Sequence, residues 1–373
     1  MRLLDLLGDD DEDDAPEPTP VPATFLATPS PADADDDGPL LPGRTRAPEP
    51  RPRPAFASAL APTPPPAARK RDSSRHHRHD LWISKHPHTA GAELGQAVAD
   101  TWHSNGGSSA IEIPISIVAA LALFPIKDHT EDVYRIISNC TDWELIQGYR
   151  EIWVNQWSQR PDLIAHAAPL IGWLSDERAQ QLIYPIRQVT DVAMAHGVLA
   201  MTESSDPGNR ADTDLLSWTL TAFRSTAARN GNGEYHTPPE VADMMARILM
   251  DQLPPAGDWF GDPAAGTGGL FRASAQRLRE LGGNPANYGW SMTDIDPLAC
   301  ACAAVNAIVW GLGPNVLIAC RDILANPETH AEGLARRAAL IDHRDEIVYG
   351  LAGVTAFEQA VALADRLIKG TAV

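Results

Sequence analysis

Only four cysteines occur in 373 residues, and Cys140, Cys300, Cys302 and Cys320 include no C-x-x-C pair. That spacing excludes a disulfide framework and the common zinc patterns, and it predicts a cytoplasmic chain with reduced thiols and no metal. Long apolar runs are missing as well. The most apolar stretch, IPISIVAALALFPI from Ile113 to Ile126, is shorter than the ~20 residues of a membrane helix and contains Pro114 and Pro125. It predicts a buried core element. The opening MRLLDLLGDDDEDD turns acidic before a signal-peptide apolar segment develops, which argues against secretion. Basic charge is also short: 30 Lys and Arg stand against 49 Asp and Glu, a formal net charge of −19 at pH 7. Such a balance opposes unaided binding to nucleic acid or to an anionic membrane, so DNA contact needs a local basic face or a partner.

What is present falls into blocks. Residues 1–66 hold 16 of the 32 prolines, residues 1–40 set 12 acids against one base, and ARKRDSSRHHRHD then reverses the sign. Composition of this kind cannot offset the entropy of ordering, so residues 1–88 are expected to be a disordered acidic, proline-rich tail with a basic linker. His76, His77 and His79 lie in that linker without further ligands nearby. From about Gly91, apolar residues recur at three- and four-residue steps through WELIQGYREIWVNQW, ERAQQLIYPIRQVTDVAMAHGVLAM and TDLLSWTLTAFRSTAA. This periodicity predicts a mostly α-helical domain over residues 89–228. Its tryptophans, Trp102, Trp143, Trp153, Trp157, Trp173 and Trp218, are expected in the core or at a domain interface.

At Asn230 the pattern changes. NGNGEYHTPPEVADMMARILMDQL reads as a loop entering a helix, with Thr237 as N-cap, Pro238 at the first helical position and Glu240 completing a capping box. GDWFGDPAAGTGGLFRASAQRLRELGG then gives a strand, a tight turn and a helix ending at Gly282-Gly283. YGWSMTDIDPLACACAAVNAIVWGLG repeats strand, acidic turn and helix, and NVLIACRDIL supplies a third strand. Three strands with intervening helices imply a parallel α/β sheet of the doubly wound kind, with ligands outside the carboxyl ends of the strands. Asp262, Asp294 and Asp322 each fall at one of those ends.

These acids bear on which ligand the turn accepts. A carboxylate fixed four residues before Gly266 repels a pyrophosphate but attracts a cation. One after the second strand suits ribose hydroxyls, and one after the third suits an adenine amino group. S-adenosylmethionine (SAM) combines an adenosine with an ammonium and a sulfonium. The dinucleotide fingerprint G-x-G-x-x-G fails because its third glycine is replaced by Phe271, and no Gly-Lys-Ser/Thr P-loop occurs.

The ordered segments GEYHTPP, DPAAGTGGLF, TDIDPLA with VNAIVWGLG, and CRDIL resemble the cofactor motifs of adenine-specific DNA methyltransferases, most closely the methylation subunit of type I restriction-modification systems. The resemblance covers about residues 231–325. It implies a truncated Rossmann-like SAM-dependent methyltransferase domain over 229–330, followed by a C-terminal helical segment over 331–373. It further implies that Tyr235 and Thr237 close over the methionine portion, that Asp262, Ala264, Gly266 and Gly268 form the SAM turn, that Asp294 holds the ribose, that Ile295 packs on adenine and that Asp322 binds its amine. His236 departs from the aromatic residue common in the family. DNA is the implied partner, reached through a specificity or methylation subunit, with no membrane and no metal involved.

One expected motif is missing. The family places an Asn-Pro-Pro-aromatic tetrapeptide after a fourth strand to orient a flipped adenine. Here ANPET follows Asp322 by only four residues and carries Glu328 in place of the second proline, so it reads as a turn or helix start, with mainly helix beyond it and DEIVYG as a candidate short strand. Residues 1–80 account for −5 of the net charge, which leaves −14 on residues 81–373. No catalytic acceptor residue is therefore assigned. A non-catalytic SAM-binding or partner-interaction protein derived from that family is the alternative of another class, and a small-molecule methyltransferase is a third reading.

Overall fold

The computed structural model describes residues 86–107, 109–125, 127, 130–224 and 237–370. The expected disordered tail falls almost wholly in residues 1–85, outside the described ones. The helical part comprises α1 (Pro87–Ser104), α2 (Glu112–Ala122), α3 (Thr130–Asn139), α4 (Asp142–Gln159), α5 (Pro161–Ile164), α6 (Ala168–Ile171), α7 (Asp176–Gln181), α8 (Ile183–Ala195), α9 (Val198–Thr202), α10 (Pro207–Arg210) and α11 (Leu215–Phe223). Helix α1 opens at Pro87, ahead of the visible periodicity, because proline is preorganised for the first helical turn. The apolar stretch from Ile113 forms α2, whose residues from Ile113 to Ala122 are all buried.

Local chemistry explains several boundaries. Thr141 and Glu144 form a reciprocal capping box at the start of α4, with backbone N–H to side-chain oxygen distances of 3.2 and 2.7 Å. The segment ERAQQLIYPIRQVTDVAMAHGVLAM holds three helices, and Gly197 at φ 81° allows the break before α9. Helices α1 and α11 approach closely because Gly95 has no side chain: a Cβ there would meet the Trp218 carbonyl oxygen at 2.7 Å. Of the tryptophans, Trp102, Trp153, Trp157 and Trp173 are buried, whereas Trp143 is 45% exposed because it lies off the buried stripe of α4.

Downstream come α12 (Pro239–Leu249), β1 (Trp259–Asp262), α13 (Gly269–Glu280), β2 (Gly289–Asp294), α14 (Pro297–Val309), β3 (Val316–Cys320) and α15 (His330–Gly370). The strands form a parallel sheet in the order β1-β2-β3, with Trp259 opposite Gly289 and Trp290 opposite Val316. Phe260 and Trp290 stack on one face, at 4.9 Å between ring centroids, and Phe271 of α13 meets Trp290 edge-on. On the other face, Trp259 lies over Gly289 and meets His330 of α15 edge-on at 4.4 Å. Helix α13 ends as the paired glycines require, with Gly282 at φ 82° and the Gly283 N–H donating to the Leu278 carbonyl at 2.8 Å. DEIVYG is part of α15, not a strand, and Thr329 with Glu332 caps that helix where ANPET suggested a turn or start.

One hydrophobic core runs through both the helices and the sheet, from Trp102 and Trp153 to Trp290 and Trp310. Arginines seal the seam between them. Arg160 donates to the Gly313 carbonyl at 2.9 Å, Arg210 to the Val309 carbonyl at 2.8 Å, and Arg336 to the outward Ile318 carbonyl of β3.

Candidate cofactor site

The turn after β1 is shaped by two left-handed glycines, Gly266 at φ 55° and Gly268 at φ 91°. A residue with a side chain is strained at either position. Asp262, the last residue of β1, accepts the Ala264 N–H on Oδ1 at 2.9 Å, which folds the chain back sharply. Asp294, the last residue of β2, accepts the Gly266 N–H on Oδ2 at 2.7 Å and the Asp296 N–H on Oδ1 at 3.0 Å. The two strand ends are thus held together by one carboxylate that still has lone-pair capacity on each oxygen. At β3, Asp322 accepts the Leu324 and Ala325 N–H groups on Oδ1, at 2.9 and 3.3 Å, and is exposed.

A cleft of about 270 Å³ opens beside this turn, lined by Thr237, Asp262, Ala264, Gly266, Thr267 and Asp214 among others. It brings together four of the residues named from sequence: Thr237, Asp262, Ala264 and Gly266. Gly268 stands apart as the N-cap of α13, where a Cβ would touch the Trp310 ring at 3.3 Å. Asp294, Ile295 and Asp322 follow along the strand ends outside the cleft wall, and Ile295 is 67% exposed. Tyr235 lies outside the described residues.

Thr237 is not a helix cap. Helix α12 begins at Pro239, the N-cap position is Pro238 and no side chain caps it. The reason is local: Pro239 pushes the residue before it out of the helical region, and Pro238 is extended at φ −53°, ψ 138°. Thr237 is left outside the helix, facing the cleft.

The reading from sequence missed the polar floor. Asp214, 3% exposed, is the N-cap of α11 and accepts from three sides. The Ser217 N–H and the Asn306 Nδ2 donate to its Oδ1 at 3.0 and 2.9 Å, and the Thr267 hydroxyl donates to Oδ2 at 3.0 Å. Burial pushes this carboxyl above the ordinary range, opposed by those hydrogen bonds and by Arg272. Arg272, also buried, is held by the Ala211 carbonyl at 3.0 Å and by Asp243. Asn306 lies within VNAIVWGLG, but a lone buried Asn on a helix carries no sign of its partner. Asp214 sits in a helical segment whose visible signal is apolar periodicity.

Among the described residues no group of His, Cys, Asp and Glu is arranged to hold a metal ion, and no helix is long and apolar enough to cross a membrane. No curated protein matches the chain. Among solved structures, the chain is similar to the type I restriction-modification system methyltransferase subunit from Streptococcus thermophilus, at 16% identity and a TM-score of 0.35, over 65% of this chain and 60% of that one. Residues 212–342 match the family described as N-6 DNA Methylase, a span that holds the glycine turn, all three strand-end acids and the buried Asp214.

Proposed function

We propose that the cleft and the strand ends beside it bind SAM and that the chain is the cofactor-bearing part of an adenine-specific DNA methyltransferase of the restriction-modification kind, acting on DNA with a partner subunit. The observation that carries this reading is the set of acceptor-only groups at three consecutive strand ends around an open glycine turn. A Cβ at Gly266 would meet nothing within 4 Å, so the turn leaves room for a ligand against its backbone. In this reading Asp262 and Thr237, with Tyr235, face the methionine portion; Ala264, Gly266 and Gly268 shape the turn. Asp294 accepts from the ribose, the exposed Ile295 is covered by the adenine, and Asp322 accepts from its amine through Oδ2. Bound there, SAM supplies an electrophilic methyl group for an adenine amino group. The chain's own contribution is to bind and orient, the mode by which positioned charges lower such barriers.

No Asn-Pro-Pro-aromatic tetrapeptide occurs in the 373 residues, and the proposal places the groups that orient the target base on a partner polypeptide. Residues 229–330 would carry the cofactor and the helical part would engage the partner. The test combines calorimetry with transfer of labelled methyl groups to mixed-sequence duplex DNA at low salt, where phosphate contacts are strongest. The expected result is SAM binding by the chain alone, no transfer alone, and transfer once a specificity or methylation subunit is added. Failure to bind SAM, or preferential binding of NAD, would overturn the reading. Robust transfer by the single chain would show that the acceptor groups lie within it.

A further inference from the structure

Helix α13 runs twelve residues from Gly269, and Gly269 and Leu270 of its first turn line the cleft. A helix start after a glycine turn is a ready anion site, because its orphan donors and dipole favour negative charge. A Cβ on Gly269 would lie 3.7 Å from Asp214 Oδ2, so this carboxylate stands at the mouth of α13, delivered from the start of α11. Oδ1 accepts both the Ser217 N–H and the Asn306 amide, and Oδ2 accepts from the Thr267 hydroxyl, donors that favour the charged carboxylate against the burial that raises its pKa.

Building on the SAM reading above, we propose that Asp214 is a specificity-determining residue: its carboxylate stands beside the start of α13, so the cleft accepts a cationic cofactor and rejects phosphate-bearing ones. Three features work together. The carboxylate repels an incoming phosphate and cancels the attraction of the helix start. Arg272, the cation of the cleft wall, is committed to Asp243 and the Ala211 carbonyl. The Thr267 and Asn306 bonds fix the carboxylate against the turn, so it cannot swing aside to admit an anion.

The test titrates the full chain with SAM, with inorganic pyrophosphate as the phosphate probe and with adenosine as a neutral control. It compares the parent with Asp214→Asn and Asp214→Ser. The Asn variant removes the charge with little change of shape. The Ser variant retains an N-cap hydroxyl for Ser217 should the Asn variant not fold, and thermal unfolding monitors both. The parent should bind SAM and not pyrophosphate. Each variant should lose about tenfold or more in SAM affinity and gain measurable pyrophosphate binding, with adenosine within about threefold of the parent. Parent-like SAM affinity without pyrophosphate binding would overturn the proposal. So would a parallel fall in SAM and adenosine without pyrophosphate binding, the mark of a purely structural role. If the parent itself fails to bind SAM, the SAM reading falls, and gain or no gain of pyrophosphate binding by the variants then decides the Asp214 proposal alone.

Discussion

At the residue scale, Asp294 links the backbone of the glycine turn to the site proposed for the ribose. Its oxygens each hold one backbone N–H, from Gly266 and Asp296, so the side chain has a fixed direction before any ligand arrives. Preorganisation of this kind makes a further hydrogen bond cheap in ordering entropy. Asp294→Asn replaces one acceptor oxygen by a donor in a place lined with donors. The expected loss of SAM affinity is roughly tenfold to a hundredfold, about 1.5–3 kcal/mol for a charge-assisted bond. Calorimetry measures it, and equal affinity in parent and variant would remove Asp294 from the site. Ala264 and Gly266 act through their backbone, so substitution there reports on turn geometry instead.

At the element scale, the sheet owes its packing to a pair that alternation alone does not reveal. Trp259 of β1 lies across Gly289 of β2, where a Cβ would come within 2.0 Å of the indole. The ring continues to His330, so the first residue of β1, the first of β2 and the first of α15 are fixed together. Gly289→Ala should therefore displace the indole and cost about 1–3 kcal/mol through overpacking. Gly261→Ala is the paired control, because a Cβ there meets nothing within 4 Å, and its effect on stability should stay within about 0.5 kcal/mol. Urea denaturation of both variants gives the difference directly. Comparable losses would show that strand propensity, not the Trp259 contact, governs these glycines.

At the scale of the whole molecule, ion pairs and one histidine join the helices to α15 beyond the sheet. Asp162 is buried between Arg160 and Arg337, at 3.0 and 3.1 Å. Beside it, Arg336 pairs with Glu328 at 2.9 Å and donates to His166 Nε2 at 2.8 Å. Burial, then the neighbouring Arg336 guanidinium, lowers the His166 pKa to about 4, so the ring is neutral in the folded protein near pH 7. An unfolded chain protonates the same ring at about 6.5 and binds more protons between these values. Stability should therefore rise as pH increases from about 4 to about 6.5, by no more than about 3.4 kcal/mol from this group, and show no further rise from it above that window. His166→Gln keeps an acceptor for Arg336 and should flatten the slope in urea denaturation at pH 4.5, 5.5 and 7. Glu328 differs: burial would raise its pKa, but Arg336 and Arg321 outweigh burial and hold it below the ordinary value. Its contribution is lost only as pH falls below the ordinary carboxylate range, at the acid edge of the histidine window. An unchanged slope in the Gln variant would mean that other groups set the acid response.

By itself the sequence determined what depends on near neighbours along the chain. Glycines with left-handed backbone, acids two residues from the N–H they accept, a capping box and the period of a helix all act within a turn or a strand. The strand-turn-helix repeats, the strand-end positions of Asp262, Asp294 and Asp322 and the end of α13 at its glycines were accordingly legible. Tertiary structure decided what depends on residues far apart in the chain. Asp214 reaches Thr267 and Asn306 across 53 and 92 residues, and Arg336 meets His166 across 170. Thr237 fails as a cap for a local reason, the Pro238-Pro239 pair beside it, whereas its place on the cleft wall comes from the fold. A buried acid in an apolar helix gives no sign of its partners, because the long-range contacts that satisfy its charge exist only after the chain has folded.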